Sequence, residues 1–367
     1  ACDLIHGSPT RAAFVSTNSI TQGEQVSAVW KSLVERFGLE IDFAWRTFRW
    51  DNESFEKAHV HCVIIGFHCA DSAAKGTQRG HKVIFDGQQR HEAKHINAYL
   101  MEADDMWVES RSKPLCDVPA MLRGCQPTDD GNLVIEASER NQFVQRNPIA
   151  EKWIRPYMMG KDFIDRKPRY CLWLVGVAPS ELRSCPDIVT RVNSIREFRL
   201  KSPKAATRAK ANTPALFDDV RPWNSDYVAV PKVSSQKRRY IPIDYLTQDV
   251  VPGDMLFIMP DSGRIHFGML TSSVHMAWMR ALAGRMKSDY RYSVNIVYNN
   301  FPWPKVSEEL KIEIEMSAQA ILDARAKYPE ASLADLYDDT FMPPELRKAH
   351  AANDAAVLKA YGWPTDL

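Results

Sequence analysis

Six consecutive residues, Lys287-Ser288-Asp289-Tyr290-Arg291-Tyr292, place a cation, an anion and a second cation at alternate positions. Reading base edges in a DNA major groove uses these groups: Lys or Arg for guanine O6 and N7, Asp or Glu for the cytosine amine. In an extended segment all three side chains project from one face. Lys287 and Asp289 could then read both partners of one G·C pair while Arg291 takes a neighbouring base. The competing reading is a surface Lys–Asp ion pair of small energetic weight. Upstream, Lys232, Ser234, Ser235, Lys237, Arg238 and Arg239 form a second group, expected on a hairpin. Hydroxyls and cations together suit phosphate contact better than base readout. Lys201, Lys204, Arg208 and Lys210 are expected to add a mobile phosphate clamp.

These groups lie in a basic middle of the chain. The formal net charge of the 367 residues is only +1, but residues 191–239 hold twelve Lys/Arg against four acids, and residues 264–291 hold five against one. Residues 305–367 reverse the sign, with seven basic and twelve acidic residues. A basic region between neutral and acidic flanks is suited to a polyanion, because neutralising phosphates releases counterions. The competing reading is a solvated surface rich in Lys and Arg. Seven scattered cysteines with no Cys-x-x-Cys pair read as reduced thiols of a cytoplasmic protein. No apolar run approaches the length of a membrane span, so no membrane partner is expected.

The elements that must position these groups are read from periodicity. Residues 12–20 predict a buried strand, Thr21-Gln22-Gly23-Glu24 a capping box, and Val26, Val29, Trp30, Leu33 and Val34 the apolar stripe of the helix that follows. Residues 41–49 and 59–67 are further strands, the second so apolar that a sheet covered on both faces is expected. Strands are expected at 170–177, 227–233 and 255–259, one helix over 266–286, and two more over 307–328 and 343–361. The first α/β unit lacks an opening Gly-rich turn and earlier strands, so the chain reads as the C-terminal piece of a longer protein. A sheet so begun also leaves a strand edge open to self-association.

The string FVSTNSITQGEQVSAVWKSLVERFGLEIDFAWRTFRWDNESFEKAHVHCVIIGF resembles the final strands of the MmeI-like family of S-adenosylmethionine-dependent DNA adenine-N6 methyltransferases. The strings RSKPLCDVPAM, RYCLWLVG, VPKVSSQKRRYIPI and HMAWMRALAGRMKSDYRYSVNIVYNNFPWP are similar to that family's target-recognition domain, in the same order. The resemblance spans residues 12–304 and implies an α/β plus α+β fold in three parts. These are the end of a Rossmann-type methyltransferase sheet (residues 1–70), a mixed α+β target-recognition domain (71–302) and a helical C-terminal domain (303–367). It implies double-stranded DNA as partner, S-adenosylmethionine as cofactor of the parent enzyme, and restriction-modification as the biological setting. It also implies specificity positions within Lys287–Arg291.

The cofactor-binding Gly motif and the catalytic Asn/Asp-Pro-Pro-Tyr/Phe tetrapeptide of that family do not occur here; Asn147-Pro148-Ile149 is the nearest string. Transfer to an adenine amine needs acceptors that hold its lone pair in line with the methyl sulfonium. The piece alone is therefore expected neither to bind the cofactor nor to methylate, and to need the missing N-terminal part of the same protein. Base flipping needs an aromatic face, and the resemblance places it just before residue 59, with Phe55 and Trp50 as candidates. The alternative function is a non-catalytic DNA-binding specificity module serving a separate subunit. No metal is expected: His59, His61, Cys62, His68 and Cys69 match no zinc spacing, and Asp86 with Glu92-Ala93-Lys94 resembles a magnesium-nuclease core only faintly.

Overall fold

The apolar strands near the start of the chain pair into one sheet, and the remainder folds around several short ones. The computed structural model describes residues 1–51, 59–69 and 81–365. It has two compact units, Ala1–Cys116 with Ala277–Pro302, and Asp117–Met276 with Trp303–Leu367. One change of unit falls between Pro302 and Trp303, where the sequence reading also divides the chain; the others fall at Cys116/Asp117 and Met276/Ala277.

In the first unit, β1 (Arg11–Thr17), β2 (Leu39–Asp51), β3 (His59–Cys69), β4 (Lys82–Asp86) and β5 (Gln89–Ala93) lie in the order β1-β3-β2-β4-β5. β3 is antiparallel to both neighbours, and β2 is parallel to β4. Val63, Ile65, Phe67 and Cys69 are buried on one face of β3. Helical residues 24–37 bury Val26, Trp30 and Phe37, and the Trp30 indole donates to the Ile20 carbonyl at 2.8 Å. Gly38, at φ +57°, closes that stretch in the left-handed conformation. The expected capping box is not formed. Thr21 sits in a separate 3-10 turn and its hydroxyl donates to the Asn18 carbonyl at 2.9 Å, so the helix begins at Glu24 without a side-chain cap.

The opposite face of the sheet corrects the expectation of two-sided burial. Val15 and Trp45 both pair with Ile64, and Trp50 pairs with Val60, so the four share a face. Val15, Val60, Trp45 and Trp50 are 53%, 43%, 36% and 50% exposed. β1 is an edge strand, and Phe14 and Val15 are exposed where burial was expected. β3 is apolar on both faces because side chains of its neighbours cover it locally; the Phe43 ring occupies the space a Cβ at Gly66 would need.

The second unit holds two four-stranded sheets. One orders Asp244–Leu246, Tyr227–Pro231, Leu256–Met259 and Leu122–Arg123; the other orders Val251–Pro252, Ile154–Met158, Arg169–Leu172 and Val134–Ile135. Trp153, Tyr157, Cys171, Leu172, Ile188 and Phe217 form part of the core around the second. The helix expected over 266–286 is interrupted. Arg264–Leu270 ends at Thr271, a second helix runs Ser273–Leu282, and Gly284–Met286 is a strand. Ser272 caps the second helix, its hydroxyl accepting the His275 N–H at 3.3 Å. Helices Glu308–Ala326 and Pro344–Ala360 pack on Arg264–Leu270. They approach closely at Gly268, where a Cβ would meet Ile314, Asn353 and Ala318. Among the described residues no helix is long and apolar enough to cross a membrane.

Candidate nucleic-acid interface

Asp289 and Arg291 lie on the second strand of a hairpin in the first unit, Gly284–Met286 paired with Asp289–Arg291. Two apart on one strand, they share a face, as the sequence predicts. Lys287 departs from that alternation. It opens the two-residue loop at φ +58°, a conformation a hairpin's first loop position demands. The three side chains are therefore grouped by a turn and not by one extended strand. On the opposite face the Arg285 guanidinium lies 3.7 Å from the centroid of the Tyr290 ring, which is 8% exposed. This pair anchors the hairpin and was not singled out from sequence, although the alternation Asp289-Tyr290-Arg291 carries the signal.

The hairpin is held within its unit by the chain on either side. Gly23 N–H donates to the Leu282 carbonyl at 3.0 Å, Leu115 N–H to the Asn299 carbonyl at 2.7 Å, and the Asn299 side-chain amide to the Arg111 carbonyl at 2.7 Å. A cavity of about 490 Å³ in the same unit is lined by Arg46, Asp86, Tyr99, Arg280 and Arg285 among others. Arg46 is fixed there, Nε to the Leu100 carbonyl at 3.0 Å and Nη1 to Asp86 at 2.9 Å. Three guanidinium groups against one carboxylate make a wall that favours an anion. Burial pushes the Tyr99 phenol up to about 12, so it stays protonated. Asp86 and Glu92 lie three pairs apart along the β4–β5 hairpin, which removes the faint nuclease pattern. Among the described residues no group of three His, Cys, Asp or Glu could hold a metal ion.

Trp50 ends a row of aromatic rings. Its ring is 6.1 Å from Phe48, Phe48 is 6.4 Å from Trp45, and Trp45 stacks on Phe85 at 4.9 Å and 15°. A bulge between Trp45 and Phe48 brings Phe48 and Trp50 onto the Trp45 face. Phe55 lies outside the described residues. No Gly-rich strand-to-helix turn occurs among the described residues of this unit: β1 is followed by the 3-10 turn Asn18–Thr21.

In the second unit the upstream basic group divides. Ser234, 2% exposed, is inside the protein, which corrects its assignment as a surface contact. The expected hairpin is a two-residue strand, Val233–Ser234, followed by a turn in which Arg238 N–H donates to the Ser235 carbonyl at 3.2 Å. Ser235 Oγ accepts the Lys237 N–H at 3.3 Å. Lys237 and Arg239 are exposed, whereas Lys232 is half-buried with its ammonium 5.0 Å from the Phe257 ring centroid. Lys201 and Lys204 are exposed. Arg208, though exposed, donates from Nη1 to the Ser202 and Pro203 carbonyls at 2.8 Å each, closing a structured turn where a mobile clamp was expected.

Two arginines that carry this surface were missed. Arg199, counted from sequence among the basic residues, is 0% exposed. Its guanidinium donates to the carbonyls of Pro127, Thr128, Lys210, Thr213 and Leu216 at 2.8–3.2 Å, and burial lowers its pKa. It fastens the segment bearing Lys201 and Lys204 to the core. Arg325 pairs with Asp244 at 3.1 Å and donates to Tyr337 and the Ile243 carbonyl. Tyr240 donates to Asp354 at 2.6 Å and stacks on His350 at 4.1 Å. Through these contacts residues 325–354 brace the loop at 240–244, directly after Arg238 and Arg239.

The first unit is an α/β sheet covered on one face that carries a basic hairpin, and the second is a mixed α+β unit braced by helices. Three family models match in sequence: the MmeI DNA-methyltransferase domain over residues 1–86, the MmeI target recognition domain over 102–305 and the MmeI C-terminal domain over 306–366. The chain belongs to the MmeI family. It is 36% identical over 351 residues to DNA methyltransferase A of Bacillus subtilis (strain 168), covering 96% of this chain and 39% of that protein. It is also similar to the solved structure of the Type IIL restriction-modification enzyme MmeI in complex with DNA. That match has 43% identity and a TM-score of 0.89, covering 96% of this chain and 47% of that one. The chain thus spans less than half the length of either relative.

Proposed function

We propose that this chain is the DNA-target-recognising part of a site-specific adenine-N6 DNA methyltransferase of restriction-modification type. Residues 1–70 end the methyltransferase sheet, residues 71–302 read DNA, and residues 303–367 brace the reading surface. In this reading Lys287, Asp289 and Arg291 contact base edges from the hairpin. Lys201, Lys204, Lys237, Arg238 and Arg239 contact phosphates, and Trp50 or Phe55 stacks on the flipped adenine. Lys232 and Arg208 have structural contacts that set the loops around them. S-adenosylmethionine and the groups that align the adenine amine belong to the remainder of the parent protein, so the piece alone is inactive.

The observation that supports this reading most is the collinear match to three MmeI domain models together with the likeness to an MmeI structure solved with DNA. The test is fluorescence anisotropy with a random-sequence duplex over a salt series, for the chain and for a variant with Lys287, Asp289 and Arg291 all changed to Ala, followed by site selection. Micromolar affinity falling steeply with salt, and selection of a site that the variant does not select, is the expected result. Unchanged selection by the variant would defeat the base-reading assignment. Transfer of labelled methyl groups from S-adenosylmethionine by the piece alone would defeat its assignment as inactive.

A further inference from the structure

We infer that the cavity of about 490 Å³ in the first unit is a phosphate-binding site, lined by Arg46, Arg280 and Arg285, and that its occupant is a phosphodiester of the bound DNA. The inference rests on the DNA-recognition reading above and extends it, since that reading places its phosphate contacts in the second unit alone. β1 and β2 are both antiparallel to β3, and β2 is parallel to β4, so β1, β2 and β4 run in one direction. Thr21 and Gln22 follow β1, Arg46 and Thr47 lie in the second half of β2, and Asp86 ends β4; all five line the cavity. The cavity therefore lies at the carboxyl ends of these strands, the edge at which α/β sheets bind their ligands.

Charge selects the class of ligand. Among the described lining residues three guanidinium groups stand against one carboxylate, and that carboxylate, Asp86, is already paired with Arg46 at 2.9 Å. Tyr99, whose phenol burial pushes up to about 12, adds a protonated hydroxyl and no negative charge. Three cations less one anion leave a positive surplus, which suits an oxyanion and repels a cation. Two of the guanidinium groups are also held in place. Arg46 Nε donates to the Leu100 carbonyl at 3.0 Å, and the Arg285 guanidinium rests 3.7 Å from the centroid of the Tyr290 ring. Groups so fixed lose little conformational freedom on binding, and the planar fork of an arginine matches the oxygens of a phosphate.

The helical residues 277–281 supply both a cation and room. Ala277, Arg280 and Ala281 are three and four residues apart on one helix face, and the two alanines leave open the space that larger side chains would fill. Ala277 and Thr47 are exposed, so the cavity communicates with solvent. Arg285 lies on the face of its hairpin opposite Asp289 and Arg291. One hairpin can therefore put Asp289 and Arg291 on base edges while its other face holds the sugar–phosphate strand. Such a contact fixes the register of reading and carries no sequence information itself.

The experiment compares the chain with Arg280→Gln, Ala277→Glu and the double variant by anisotropy on one labelled random-sequence duplex over a salt series. Arg280→Gln should bind about tenfold more weakly and lower the salt slope by about one. Ala277→Glu should weaken binding at least as much, because it sets a carboxylate among guanidinium groups that all remain in place. The double variant should lose clearly less than the product of the two single losses, since each removes the same contact. A melting curve of Ala277→Glu that matches the parent chain excludes unfolding, as expected at an exposed helix position. Parent-like affinity and slope in both single variants overturn this inference alone. Fully multiplicative losses also overturn it, because the two charges would then act on DNA independently. A melting temperature raised by inorganic phosphate at fixed ionic strength, with duplex affinity unchanged in both variants, would give the cavity to free phosphate and overturn its assignment to DNA. Absence of duplex binding by the unsubstituted chain removes this inference together with the DNA-recognition reading.

Discussion

Replacing Arg199 with Met should destabilise the second unit by about 4 kcal/mol, within the ~3–5 kcal/mol range for removing one partner from a buried charged network. Five backbone carbonyls, from two separate stretches of chain (127–128 and 210–216), depend on this one guanidinium. A buried acceptor left unpaired costs roughly 1–3 kcal/mol, so five would exceed 5 kcal/mol if all stayed dry. Two effects reduce that figure: the desolvation of the guanidinium itself is recovered, and the shorter side chain leaves room for water to reach part of the set. Against a total stability of roughly 5–15 kcal/mol, the loss is a large fraction. Urea denaturation followed by circular dichroism measures it. Arg199→Lys should recover little, because a compact ammonium with three donors does not span five acceptors. A Met variant within about 1 kcal/mol of the parent chain would refute the reasoning and show that the carbonyls are satisfied without the guanidinium. Arg199 touches no solvent, so DNA affinity should fall only through disorder of the segment carrying Lys201 and Lys204.

The protein should lose stability in mild acid. Burial pushes His275 down to about 3, while the unfolded chain takes up that proton near the ordinary histidine value of about 6.5. The unfolded state is therefore favoured progressively as pH falls from about 6.5 towards 3, by up to ~1.4 kcal/mol per pH unit. His350, also held well below its usual value by burial, adds in the same direction. Asp354, raised by burial, acts oppositely by binding a proton in the folded state. Denaturation midpoints at about pH 7 and pH 5 should show the loss, and His275→Leu should flatten it; equal parent stability at both pH values would disprove the account. Gly124→Ala should lower the melting temperature by an amount equivalent to ~1–3 kcal/mol, because its Cβ would run into the carbonyl of Gly253. A melting temperature equal to that of the parent chain would show that the two backbones can part without cost.

Several local features were legible because their causes are local. The strands at β2 and β3, the helices Glu308–Ala326 and Pro344–Ala360 and the turn at Gly38 follow from periodicity and glycine placement. The alternation of Asp289 and Arg291 also survives, since two residues on one strand share a face wherever that strand lies. The break at Thr271–Ser272 was legible in principle as a capping signal inside an apolar run, but the broad apolar face masked it. What misled was environment. Ser234 and Ser235 are adjacent and identical in kind, yet one is buried and the other takes part in a surface turn.

By itself, then, the sequence determined the succession of elements, the uneven distribution of charge and the family resemblance, because each depends on residue type and spacing along the chain. Only the tertiary structure decided that Lys287 sits in a loop at positive φ and that Arg199 is an internal clamp. It also decided that residues 325–354 reach back to 240–244 and that β1 lies at an edge. Burial, hydrogen-bond partners and strand order depend on segments far apart in the chain, and no local pattern of residues encodes them.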